Sequence, residues 1–228
     1  MTEYNDEILP HEHYLSVIIN GNNAYKIVCT RSMLPELVLG RMLTDGLIAA
    51  VDDVEDICLS DDGTYAEVQL PCVKIDMHPC KKFVLTSLTT NKEKLPTLDP
   101  ITFSPEWVYA LAGYLNTDMP LYNKTHSTHG AFLMHDGKLL CSAEDLGRHN
   151  AMDKVIGWAL LKKIDLRKCM VLSTGRVPVD MAEKAIRAGI PVLCTKARPT
   201  IEALALAQSH GLTIVSECTE HGYVIYEL

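Results

Sequence analysis

The chain has eight cysteines, yet no two stand at Cys-x-x-Cys or Cys-x-Cys spacing. Its nine histidines do not combine with them at zinc-ligand spacing, so no metal site, and no zinc, is expected. The H-x-E…P-C-x-x-C signature of zinc nucleobase deaminases is missing, and His78-Pro79-Cys80 is only a superficial echo of it. There is no P-loop, no G-x-G-x-x-G and no G-x-S-x-G. No apolar run approaches the ~20 residues of a membrane span. A signal-peptide pattern is missing from the N-terminus, so free thiols in a reducing cytoplasm are the expectation. Positive charge is also short: 21 Lys and Arg against 29 Asp and Glu give a net charge of −8. That argues against binding nucleic acid through bulk electrostatics. An anionic ligand would need a local basic pocket instead.

What is present is an ordinary globular balance, with 47% hydrophobic and 22% charged residues over 228 positions. That length suits one domain or two small ones. Residues 1–13 are polar. Strands are predicted over 14–19 and 25–29, around the turn Asn20-Gly21-Asn22-Asn23. A helix follows over 35–45, with Leu39, Met42, Leu43 and Leu47 at helical spacing and Gly46 placed to stop it. After a short strand at 67–70, residues 71–100 are poorly periodic and contain Pro71, Pro79, Pro96 and Pro100. We read them as a linker between a lobe at 1–70 and a main domain at 101–228.

In the main domain Ser104-Pro105 is a helix start, and strands at 131–134 and 139–141 flank the hairpin turn Asp136-Gly137. Asn150 is the predicted cap of a third helix, whose apolar stripe is Met152, Val155, Ile156, Ala159 and Leu160. Strands and helices then alternate: strand 169–172, helix 178–188 closed by Gly189, strand 190–193, helix 200–210 closed by Gly211, and strands 212–215 and 223–226. Such alternation predicts an α/β domain with a largely parallel sheet covered on both faces.

Ligands of open α/β sheets bind beyond the carboxyl ends of the strands. Ser173-Thr174-Gly175-Arg176 and Thr195-Lys196-Ala197-Arg198 occupy two such ends. Each offers helix-terminal N–H groups, hydroxyls and a cation, a combination suited to phosphate. Taken singly, each is an ordinary turn with solvated charges. Two at equivalent sheet positions make an anion pocket an equal alternative. A third constellation runs from Glu144-Asp145 through Leu146-Gly147 to Arg148-His149, placing Arg148 and His149 just before a helix. It reads either as a cleft facing a ligand or as a helix terminus, with Asp153 assisting the cap and Arg148 in a salt bridge. Thr128-His129-Gly130 precedes a strand, where a lone histidine is usually a hydrogen-bonded structural residue.

The run EDLGRHNAMDK at 144–154 resembles the signature E-D-[VL]-G-R-H-N-A-x-D-K of the FdhD/NarQ family, the formate dehydrogenase accessory proteins. Three further stretches resemble the family in its order. They are LGRMLTDGLI at 39–48, Thr128-His129-Gly130-Ala131, and 172–193 with Ser173, Gly175, Arg176, Lys184, Gly189 and Pro191. Together the likeness spans roughly residues 14–226.

The resemblance implies a cytidine-deaminase-like α/β/α sandwich with a small N-terminal α+β lobe, and a cytoplasmic homodimer. It implies a sulfurtransferase that takes sulfur from a cysteine desulfurase and passes it to the molybdenum bis(molybdopterin guanine dinucleotide) cofactor of a formate dehydrogenase. GDP would mimic that ligand. The implied cofactor-binding residues are Thr128, His129, Asp145, Arg148, His149, Ser173, Arg176, Lys196 and Arg198.

The chain departs from the family twice. The family's Cys-x-x-Cys loop should fall near residues 89–94, which here read TTNKEK. A persulfide relay needs a thiolate on an accessible loop, so only Cys80 and Cys72, on the same linker, stand as catalytic candidates. The family's basic C-terminal loop is replaced by Glu217-Cys218-Thr219-Glu220-His221-Gly222. The alternative function is a non-catalytic nucleotide- or cofactor-binding relative that has lost the sulfur relay.

Overall fold

The computed structural model describes residues 9–71 and 95–226. Cys72, Cys80 and the stretch 89–94 lie outside the described residues. The first segment folds as β1 (His13–Ile19), β2 (Asn22–Cys29), α1 (Leu34–Thr44), β3 (Asp56–Leu59) and β4 (Tyr65–Gln69). The second begins with α2 (Pro105–Thr117), α3 (Pro120–Thr125), β5 (His129–His135), β6 (Lys138–Asp145) and α4 (Arg148–Leu161). It continues with β7 (Cys169–Ser173), α5 (Val179–Arg187), β8 (Val192–Thr195), α6 (Ile201–His210), β9 (Thr213–Ser216) and β10 (Val224–Tyr226).

Local chemistry sets most of these boundaries. Asn20 and Gly21 turn the first hairpin at positive φ, as Asp136 and Gly137 turn the β5–β6 hairpin. Ser104 caps α2 by accepting the Glu106 N–H at 3.3 Å, and Thr200 caps α6 by accepting the Ala203 N–H at 3.2 Å. Two elements escaped the sequence pattern. β3 has only four residues in an acidic stretch. α3 has six, and its first N–H groups are held by the distant Glu144 carboxylate, which accepts from Leu121 N at 2.8 Å and Tyr122 N at 2.6 Å.

The smaller sheet has the order β2-β1-β4-β3, and the larger β10-β9-β8-β7-β5-β6. The expectation of a largely parallel sheet needs correction. Only the β7–β8 and β8–β9 pairs are parallel, while β5 runs antiparallel to both of its neighbours, β6 and β7, and β10 antiparallel to β9. A two-residue turn at Asp136-Gly137 can only join antiparallel neighbours.

Both faces of the larger sheet are covered, which explains the continuous apolar strands. Phe132, Met134, Met170, Leu172, Val192, Cys194 and Val215 face α2, through Val108, Leu111 and Ala112. Ala131, Leu133, Val171, Leu193 and Ile214 face the opposite way, into a core that runs through α4 and α5 to α1 and to Leu15, Val17, Ala66 and Val68 of the smaller sheet.

The α1–α4 crossing joins the two sheets. A Cβ on Gly40 would sit 1.8 Å from the Asp153 carbonyl oxygen, and one on Gly157 would sit 1.8 Å from that of Glu36. Beside this contact lies a buried ion cluster. Lys184 Nζ donates to both Asp153 oxygens at 2.7 and 2.8 Å and to Thr44 Oγ1 at 2.8 Å. Arg41 Nε donates to Asp45 at 2.9 Å, and its guanidinium lies 3.8 Å from Asp153. Asp153 is therefore an interior counter-ion, not the cap assistant anticipated for α4.

Gly157→Ala should force the two helices apart and cost about 3 kcal/mol or more, lowering Tm by roughly 6–12 °C. Gly222→Ala, with nothing within 4 Å of the added methyl, should leave Tm nearly unchanged; differential scanning calorimetry of both variants checks this. Asp153→Asn should cost about 3–5 kcal/mol, because it leaves Lys184 and Arg41 undercompensated in the interior. Urea unfolding reads that loss.

Candidate functional site

The carboxyl end of β7 is the natural place to look for a ligand. There β7 and β8 end side by side, with Ser173 level with Thr195. The antiparallel β5 brings His129 to the same edge, paired with Asp145 at the end of β6. The helices that leave this edge, α4 and α5, point their N-termini at it.

Asp145 organises the approach to α4. It is fully buried, and its carboxylate accepts from Thr30 N at 3.0 Å, Gly147 N at 3.1 Å and Asn150 Nδ2 at 2.8 Å. Lys154 Nζ pairs with it at 2.6 Å and also donates to Thr30 Oγ1 at 2.6 Å. All its acceptor capacity goes to protein groups, so Asp145 holds the loop. Asn150 is not the predicted cap. The cap is Gly147, three residues earlier, and Asn150 donates from inside the helix to Asp145 and to Val28 O at 2.8 Å.

Consequently Arg148 and His149 lie in the first turn of α4, which has no side-chain cap. The Arg148 stem runs against Gly175, where a Cβ would lie 2.5 Å from Arg148 Cδ. Its Nε is buried with no hydrogen-bond partner among the described residues. His149 is 1% exposed. Its Nε2 is 2.8 Å from Asp180 Oδ2 on α5, while Nδ1 is buried and unpartnered. Burial alone would raise the Asp180 carboxyl, but the hydrogen bond and charge of His149, with Arg148 nearby, hold it below the usual range.

The remaining candidates divide between braces and rim. Thr128 donates to Glu144 at 3.0 Å, and Ser173 Oγ is buried and accepts the Gly175 N–H at 3.4 Å. His129 Nδ1 is 3.1 Å from Thr174 Oγ1. Burial, then the charges of Arg148 and His149, push its imidazole below the ordinary value. Arg176 and Lys196 are exposed at the two loops, which Thr195 ties together by donating to Gly175 O at 2.6 Å. Arg198 turns away to pair with Glu217 at 2.6 Å, so the acidic C-terminal loop claims that cation. Asp180 was missed by sequence reasoning; an acidic residue in the first turn of a helix has many local explanations.

Among the described residues most thiols hold their protons, whereas the hydrogen bond with Cys194 draws the Cys218 thiol below its ordinary value. Burial pushes Cys29, Cys141 and Cys169 up to about 12. Cys194, hydrogen-bonded to Cys218 and buried, holds its proton well above the thiol range. Among the described residues no three His, Cys, Asp or Glu side chains are grouped to hold a metal ion. No helix among them is long and apolar enough to cross a membrane.

The sequence profile of the FdhD/NarQ family matches residues 10–228. The chain belongs to that family. It is 31% identical to the sulfur carrier protein FdhD of Mycolicibacterium paratuberculosis, over 96% of this chain and 90% of the relative. It is 28% identical to the protein of the same name from Bacillus pumilus, over 97% and 88%. A crystal structure described as a putative formate dehydrogenase accessory protein from Desulfotalea psychrophila superposes with a TM-score of 0.79. That match has 24% identity and covers 96% of this chain and 88% of the other, which establishes the shared fold.

The His129 shift predicts a pH effect on this FdhD/NarQ protein. Its folded-state value lies below the ordinary 6.5, so the unfolded chain binds more protons as pH falls through that region, and stability declines. Thermal melts should show Tm falling between pH 7 and pH 5, and His129→Asn should make the fall shallower.

Proposed function

We propose that this protein is a sulfur carrier serving formate dehydrogenase maturation. In this reading it holds the client's molybdopterin guanine dinucleotide cofactor, as cargo, at the carboxyl edge of the larger sheet. The observation that supports the cargo site is the pair of buried, unpartnered nitrogens, Arg148 Nε and His149 Nδ1, at an uncapped helix terminus. A donor buried without an acceptor, such as Arg148 Nε, costs about 1–3 kcal/mol, and a pyrophosphate supplies the oxygen it lacks. Arg176 and Lys196 add cations on the adjacent loops. The sulfur-carrier role rests on the names of the relatives.

In the same reading a cysteine desulfurase is the sulfur donor, the protein is a cytoplasmic homodimer, and the larger lobe is cytidine-deaminase-like. The order β6-β5-β7-β8-β9, with β5 alone antiparallel among its neighbours β7 to β9, supports that last assignment. Serving as a cofactor-binding relative without sulfur chemistry is the second reading. It is favoured by the missing Cys-x-x-Cys pair and by the proton-holding thiols.

Intact-mass spectrometry after incubation with a cysteine desulfurase and cysteine separates the two. A single-sulfur adduct mapping to Cys72 or Cys80 supports the carrier. An unmodified chain beside a Cys-x-x-Cys relative that does load sulfur leaves the binding protein. In either case GDP should raise Tm, and Arg148→Ala should weaken its binding about tenfold or more. A GDP-insensitive Tm would sink the cargo site.

A further inference from the structure

Two buried thiols meet on the α2 side of the larger sheet. Cys194 lies in β8 and Cys218 just past the end of β9, and both belong to the apolar cluster that packs under α2. Glu217 takes a left-handed φ of 54°, which turns the chain back after β9. Its N–H then donates to Ala197 O at 3.2 Å, and that of Cys218 to Thr195 O at 3.1 Å. These backbone bonds hold the loop beside the end of β8 at strand spacing, ~4.8 Å. That lies within the Cα separation of roughly 4.4–6.8 Å that a disulfide spans.

The pair differs from the other buried thiols. A solitary buried cysteine behaves as a small hydrophobe, and burial is the leading influence on Cys29, Cys141 and Cys169. For Cys194 and Cys218 the leading influence is their mutual hydrogen bond, in which the Cys194 S–H donates to the Cys218 sulfur. One sulfur is thereby favoured as a thiolate while a second thiol stands beside it. A nucleophilic and a resolving cysteine are arranged in this way.

Cys218 is 1% exposed, but its cover is thin. Thr219, Glu220 and His221 are exposed. The loop is held by Thr219 N donating to Gly222 O at 2.9 Å and by Asn116 Nδ2 donating to Glu220 at 2.8 Å, at the surface. Surface segments with few bonds open locally, which admits a small oxidant.

We propose that Cys194 and Cys218 form a redox-active pair that a hydroperoxide converts to a disulfide, fastening the acidic loop 217–222 to the end of β8. The Cys218 sulfur attacks one peroxide oxygen and the O–O bond breaks. Cys218 becomes a sulfenic acid, and the departing oxygen leaves as water or an alcohol. The Cys194 sulfur then attacks the Cys218 sulfur, the S–O bond breaks, and the hydroxide leaves with the Cys194 proton as water. Two thiols are oxidised and one peroxide is reduced; a small dithiol reverses the change. The disulfide holds Glu217 where it pairs with Arg198. Neither the cargo site nor the sulfur-carrier role enters this proposal, so its failure leaves both standing.

The test is mass spectrometry of the reduced full chain after exposure to hydrogen peroxide without denaturant, followed by alkylation and peptide mapping. The expected product is two hydrogens lighter, joins the Cys194 and Cys218 peptides, and returns to the starting mass with dithiothreitol. Cys194→Ser keeps a hydroxyl donor beside Cys218 but cannot resolve it, so dimedone should trap the sulfenic acid on Cys218. Cys218→Ser should leave Cys194 reduced. An unchanged mass of the native chain, or a linkage that maps only to other cysteines, overturns the proposal. So does oxidation of Cys194 in Cys218→Ser at the native rate.

Discussion

The contact between the backbones of α1 and α4 is the constraint on which the rest of the molecule depends. Two glycines, Gly40 and Gly157, let the helices meet with carbonyl oxygens where side chains would otherwise stand. Only at that separation can Arg41, Thr44, Asp45, Asp153 and Lys184 share one buried cluster drawn from three helices. Ion clusters of this kind add little net stability, since desolvation offsets attraction, but they tolerate few wrong arrangements. The crossing thus fixes α4 in rotation as well as in distance.

That rotation matters at the other end of the same helix. The buried Lys154–Asp145 pair ties the start of α4 to Thr30 in the N-terminal segment. Gly147 and Asn150 are held by the same carboxylate. Hence the direction in which Arg148 and His149 leave the helix is set from both sides, by the core one turn further on and by the smaller sheet. The candidate edge is built on rigid elements, which keeps its two unsatisfied nitrogens from relaxing into local partners.

Much of this was legible in the sequence. Hairpin turns, capping residues and closing glycines announced nearly every element after residue 104, because each is specified by short-range chemistry. The EDLGRHNAMDK run pointed to the family and to Arg148 and His149. What escaped notice depends on distant pairing. Glu144 stabilises α3 across more than twenty residues of chain. Asp180 is unremarkable until the fold places it against His149. Asp153 read as a cap assistant, and nothing local says that it and Lys154 are both buried. The parallel content was overestimated because strand direction at β5 and β10 is decided by which neighbour pairs, not by the strand's own residues.

The lobe-joining crossing also has a consequence for synthesis. Helix α1 ends at Thr44, and the helix that covers it begins at Arg148. A ribosome adding ~5–20 residues per second therefore needs roughly 5–20 s to supply the partner after α1 has emerged. During that interval the face of α1 around Gly40 lacks the helix it packs against. Transiently exposed surface of this kind is prone to wrong contacts, and slow codons between the lobes would lengthen its exposure.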